Sequence, residues 1–263
     1  MPASTPERGG PRVLQPNWPA PAGVNGFVTL RAGGVSRGPW GLADGAPGGW
    51  NLGEHCGDAS GDVARNRALL RALLPGEPVW LNQVHGVAVH DADSAPQTDT
   101  VPRADAAVTN RRGRVLAVMT ADCLSVMLTN RSGTAVGLAH AGWRGLCAGV
   151  LEATVVAMSR KTDDHRWIGW LGPAIGPACF EVGDDVRTAF LARDSRAEGF
   201  FRPGPAVGKW FGDLPGLAMA RLEASGVRSL VGADACTVSD PARFYSFRRD
   251  GQTGRMASVL WLA

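Results

Sequence analysis

The chain has 263 residues, 44% hydrophobic and 19% charged, with a formal net charge of +3. This is an ordinary globular composition, and the interleaving of basic and acidic residues argues against a dedicated nucleic-acid binder, which shows a basic stripe. No apolar run reaches the roughly 18 residues that a transmembrane helix needs, and the 35 glycines and 18 prolines imply a sheet-rich fold with many tight turns.

Residues 1–20, "MPASTPERGGPRVLQPNWPA", lack an apolar h-region and hold several prolines, so they read as a loose segment without an export signal. The remaining residues, 21–263, read as one mixed helix and strand domain. "GFVTLRAGGVSRGPWG" predicts a strand running into a glycine-rich turn. "DVARNRALLRALLPG" predicts a helix, with Val63, Leu70 and Leu74 near one stripe and Pro75-Gly76 as its stop. "PVWLNQVHG" predicts a strand ending at a turn. "RVLAVMTADC" and "TAVGLAHAGWRG" each begin with the near-continuous apolar run of a strand buried on both faces. Leu146, Val150, Ala153 and Ala157 predict one helix over 146–158, buried nearly all round. "RWIGWLGPAIG" predicts a further strand, Asp213 the cap of a helix reaching Leu222, residues 227–231 a strand, and "MASVLWL" the closing strand.

The five cysteines, Cys56, Cys123, Cys147, Cys179 and Cys236, are odd in number and form no C-x-x-C pair. A reducing cytoplasm is therefore expected, with each cysteine by default a small core residue.

Three buried-type strands each end in a metal-capable residue. His85 follows "PVWLNQV", Cys123 follows "VLAVMTAD" and His140 follows "TAVGLA". Their wide spacing does not suit a zinc finger but suits ligands gathered by a fold. Two imidazoles and a thiolate with a fourth position open form a catalytic zinc arrangement. His90 and His165 read as solvated surface residues. "HAGWRG" joins a strand to a helix, so its backbone N–H groups, with Arg144 as a bidentate partner, make an anion site at a helix start.

At these residues the sequence resembles the YfiH family, also called the laccase-domain, polyphenol oxidase-like or peptidoglycan editing factor family. The motifs are "LRAGGVS", "NLGEHCGD" and "ARNR" within residues 30–67, then "QVHG", "ADC", "HAGWRG", "GPAIGPACFEV" and "FYSFRRDGQTGR". The resemblance covers nearly the whole chain. It implies an α+β fold of mixed sheets flanked by helices, similar to the catalytic domain of cytotoxic necrotizing toxins. It also implies zinc held by His85, Cys123 and His140, with copper as an in vitro alternative. The activity implied is phosphorolysis of adenosine, inosine, guanosine and methylthioadenosine, with adenosine deamination as a second activity. On that reading Asp122 carries protons, with Glu181 a lesser candidate, Cys123 and Arg144 belong to the catalytic set, and Arg31, Arg67 and Arg144 bind phosphate. The expected partners are purine nucleosides and phosphate, with neither nucleic acid nor membrane, and the expected state is a monomer. Ser125 and Phe247 depart from the family's proline and tyrosine; the first is expected to loosen the turn after Cys123, the second removes a hydroxyl.

Three alternatives stay open at this level. A copper oxidase would use the same two histidines and cysteine, but a four-copper enzyme needs many more than the five histidines present. A metal-free cysteine hydrolase, one form of which would edit cell-wall precursors, would use Cys123 with His140 as its base. A binding module without turnover would leave the three metal-capable residues unused.

Overall fold

The computed structural model describes residues 11–94 and 100–263. Residues 1–10 of the expected loose segment lie outside the described residues. The strands, in chain order, are β1 (Val13–Leu14), β2 (Val24–Thr29), β3 (Ala32–Ser36), β4 (Pro78–Val79), β5 (Val89–Asp91), β6 (Ala106–Thr109), β7 (Val115–Thr120), β8 (Leu124–Asn130), β9 (Val136–Ala141), β10 (Trp167–Leu171), β11 (Glu181–Gly183), β12 (Phe201–Pro203), β13 (Lys209–Gly212), β14 (Ser229–Gly232) and β15 (Met256–Leu262). The helices are α1 (Ser60–Arg71), α2 (Trp143–Ala148), α3 (Val150–Ser159), α4 (Asp184–Arg193), α5 (Leu214–Ala224) and α6 (Phe247–Asp250).

The described residues form three sheets, ordered β1-β2-β15-β7-β4, β14-β10-β8-β9-β6-β5 and β11-β13-β12. With the flanking helices this is the expected α+β fold. β1 pairs antiparallel with β2, so the described part of the N-terminal segment is docked on the first sheet.

Apolar side chains on both faces of the two larger sheets dictate a layered packing. Val28, Val118, Met127, Leu138, Trp170 and Leu260 fill the space between those sheets. Phe27, Trp50, Leu70 and Val259 cover the outer face of the first sheet under α1. Leu128, Val150, Met158, Leu217 and Leu222 join the second sheet to α3 and α5. The strands β7, β8 and β9 are buried along their whole length, as their apolar runs require. The chain leaves the first sheet at the end of β7 and enters the second at β8, so residues 121–123 bridge the two.

Several elements differ from expectation for identifiable reasons. The single helix over 146–158 is two helices, because Gly149 adopts φ +109 and caps α2 before α3 begins. The "PVWLNQV" segment pairs as a strand only at Pro78–Val79. Beyond it, the Gln83 side chain replaces a backbone partner: its Nε2 donates to the Met119 carbonyl and its Oε1 accepts from the Met119 N–H, both at 2.8 Å. Ser125 lies inside β8 rather than in a turn, and its hydroxyl accepts from Ser258 Oγ at 2.7 Å in the core. The Asp213 cap is as expected, its carboxylate accepting from Gly216 N–H at 2.9 Å.

Candidate metal centre

His85, Cys123 and His140 converge where the two larger sheets meet, and their ligand atoms all lie within 4.8 Å of one another. Cys123 Sγ is 3.7 Å from His85 Nε2. Bond lengths to zinc of about 2.3 Å for sulfur and 2.0 Å for nitrogen put tetrahedral ligands roughly 3.5 Å apart. The triad therefore fits one ion with little adjustment. Among the described residues it is the one cluster of this kind.

Each ligand is placed by a local device. His140 is on β9 opposite Ser125 of β8, which fixes its direction through the ladder. His85 has φ +59, and Asp122, immediately before Cys123, has φ +91. Side chains pay for such backbone only where surrounding bonds enforce it. For His85 the enforcing group is Asp105, fully buried. Its carboxylate accepts from the backbone N–H of Val84, His85 and Gly86 at 3.1, 2.9 and 2.7 Å. The same carboxylate meets His140 Nδ1 at 2.9 Å, which leaves Nε2 of that ring for the centre. One aspartate thus shapes one ligand's turn and orients another's ring.

The glycines of "HAGWRG" are explained by close approach. A Cβ on Gly142 would lie 2.6 Å from His85 Cδ2 and 3.0 Å from Cys123 Sγ. One on Gly145 would lie 2.8 Å from the Gly86 carbonyl. Burial opposes ionisation of the Cys123 thiol, but the charge and hydrogen bonds of His140, then of His85, outweigh it and bring the pKa to about 6. The protein groups thus favour the thiolate a metal requires.

The triad opens into a cavity of about 580 Å³, lined also by His55, Asn82, Met119, Phe247 and Arg255. That is within the range of small-molecule sites, about 300–1,000 Å³. Burial lowers the His55 pKa, and the charges of Arg255 and Arg67 lower it further.

The structure brings together the three metal-capable residues but not the rest of the expected site. Asp122 engages both carboxylate oxygens inside the fold, accepting from Thr237 Oγ1 and Arg248 N–H, each at 2.6 Å, and these bonds hold its strained turn. Arg31 is buried and donates to the carbonyls of Gly41, Leu42 and Pro241, so its guanidinium is structural. Arg67 donates to the Leu52 carbonyl and to Glu54, and stacks on Trp80. Arg144 lies 4.5 Å over the Trp143 ring, outside the cavity wall. Glu181 sits on β11 in the third sheet. The helix start at Gly142 lies against His85 and Cys123. Arg255, His55 and Asp105 are what residue-type reasoning missed. Arg255 lay inside the quoted "FRRDGQTGR" motif and His55 inside "NLGEHCGD", which was the available signal.

A layered α+β fold with a His, Cys, His triad at the junction of its sheets defines a class of proteins with a group able to hold a metal. A family model described as multi-copper polyphenol oxidoreductase laccase matches residues 25–263. The chain belongs to this family, the YfiH family. It is 48% identical over 249 residues to a purine nucleoside phosphorylase of Pseudomonas aeruginosa, covering 95% of this chain and 98% of that one. It is 47% identical over 254 residues to the purine nucleoside phosphorylase YfiH of Escherichia coli, covering 95% and 99%. Its fold matches the crystal structure of a Neisseria meningitidis protein at 43% identity with a TM-score of 0.85, over 95% of this chain and 98% of that one. It also matches YlmD of Geobacillus stearothermophilus at 30% identity with a TM-score of 0.83, over 98% of both chains. Among the described residues no helix is long and apolar enough to cross a membrane.

Proposed function

We propose that the chain is a zinc-dependent purine nucleoside phosphorylase acting on adenosine, inosine, guanosine and methylthioadenosine, with adenosine deamination as a second activity. The observation that carries this is the convergence of His85, Cys123 and His140 on the wall of a nucleoside-sized cavity, in a chain nearly half identical to proteins named for that reaction. Zinc held by the triad supplies Lewis-acid polarisation and acidifies water toward a pKa of about 7.

The chain's own residues do the rest. Arg255 is the cavity's guanidinium and takes the phosphate, with His55, whose pKa burial lowers, beside it as a hydrogen-bonding partner. Phe247, 59% exposed at the cavity edge, offers its ring face to the purine. The family's tyrosine would carry a hydroxyl at this position, which Phe247 lacks. A phosphate oxygen forms a bond to the anomeric carbon, the glycosidic bond breaks, and its electron pair goes to the purine. We assign the Asn82 amide, in the cavity wall, as the donor that meets that charge.

A metal-free cysteine hydrolase would use the same Cys123 and His140, and metal content separates the two readings. A four-copper oxidase is disfavoured because the triad is the one such cluster among the described residues. The test incubates purified protein of measured metal content with adenosine, with and without phosphate. Adenine and ribose 1-phosphate appearing only with phosphate supports the proposal, and adenosine left intact in metal-replete protein refutes it. Inosine in either incubation reports the second activity.

A further inference from the structure

Cys236 does not behave as a core residue. It lies in the loop after β14, partly accessible. The Gly176 N–H donates to its sulfur at 3.2 Å, and the backbone N–H groups of Val238 and Ser239 and the Ser239 hydroxyl turn to it as well. A Cβ at position 176 would sit 3.2 Å from that sulfur, so the glycine is what lets the backbone reach it. A second partly accessible thiol, Cys179, lies 3.5 Å from the same Ser239 hydroxyl. Two sulfurs therefore share one hydroxyl, and one of them is surrounded by donors. Neither faces the metal triad's cavity.

Burial opposes ionisation of Cys236, but these hydrogen bonds outweigh it and lower its pKa. Burial instead raises the thiol pKa of Cys56 and of Cys147. A partly accessible thiol whose sulfur accepts several hydrogen bonds and shares a hydroxyl with a second thiol is the arrangement of a peroxide-sensitive cysteine with its resolving partner.

We propose that Cys236 and Cys179 form a redox-active pair, oxidised by a peroxide to a reversible disulfide. The Cys236 thiolate attacks one peroxide oxygen, the O–O bond breaks, and the departing oxygen leaves as water after taking a proton. Cys179 then attacks the sulfur of the resulting sulfenic acid, the S–S bond forms, and the sulfenic oxygen leaves as a second water. Two electrons pass from the two thiols to the peroxide. The bond ties the turn after β10 to the loop after β14, displacing the Ser239 hydroxyl. Both segments hold the site's scaffold, since Thr237 and Ile175 bond Asp122 directly.

The test treats the as-purified protein with one equivalent of hydrogen peroxide at neutral pH, blocks remaining thiols by alkylation and maps the peptides by mass. A linked Cys179–Cys236 peptide pair, separated again by dithiothreitol, is expected. In untreated protein Cys236 should be alkylated on the order of tenfold faster than Cys56 or Cys147. In Cys179→Ser, Cys236 should stop at a sulfenic acid that dimedone traps. Cys236 remaining reduced while Cys56 or Cys147 is oxidised, or its conversion to sulfinic acid without any link to Cys179, would overturn the proposal.

Discussion

Asp105 touches both histidine ligands' supports and is itself no ligand. It lies 35 residues before His140 and 20 after His85, and sequence reading had no spacing rule to connect them. The triad was legible because metal-capable residues at the ends of apolar runs are unusual in type and place. The arginines were not, because a motif position does not say where a guanidinium ends. Arg31 is buried and donates from three nitrogens to three carbonyls, whereas Arg255 donates to the Thr253 and Gly254 carbonyls through Nη1 and lines the cavity. Asp105→Asn replaces an oxygen with a donor facing backbone N–H groups or His140. We expect metal affinity to fall 10- to 100-fold in competition with a chelator; unchanged affinity would show that Asp105 plays no part in setting the ligands. Arg255→Ala should raise the KM for phosphate by tenfold or more. Arg31→Ala should instead leave that KM alone and lower stability by about 3 kcal/mol, as loss of charged hydrogen bonds to buried carbonyls does. Equal KM changes in the two variants would return Arg31 to the phosphate site.

At the scale of elements, apolar periodicity located β7, β9, β15 and the outline of the buried helices. It missed β8, where Ser125, Thr129 and Asn130 interrupt the apolar pattern although each is buried and hydrogen-bonded. It also ran straight through Gly149, because the 4, 3, 4 spacing of faces is blind to a single left-handed residue. Gly149→Ala should cost about 1–2 kcal/mol in chemical denaturation, the penalty for a side chain at positive φ, and leave metal content intact. Gly142→Ala is the contrasting case. Its φ of −63 suits alanine, but the added methyl meets His85 and Cys123. The purified variant should be folded by circular dichroism and hold little metal; a full complement would mean the two ligands can move aside.

Across the whole molecule, the centre depends on the passage from one sheet to the other. His85 comes from the turn beyond the first sheet, His140 from within the second, and Cys123 from the segment between β7 and β8. Composition pointed to sheets and turns, and the motifs to the family. The layering that makes three distant residues neighbours comes from the apolar faces packed between the two sheets, while β15 pairs between β2 and β7 within the first sheet. We propose that this junction is a metal-dependent phosphorolysis site. The most direct measurement strips the protein with a chelator and follows phosphate-dependent adenine release from adenosine as zinc is returned. Activity should be absent at first, rise in proportion to zinc and level off near one ion per chain, while His140→Ala stays inactive throughout. Full activity in the stripped protein, or in metal-free His140→Ala, would contradict the claim.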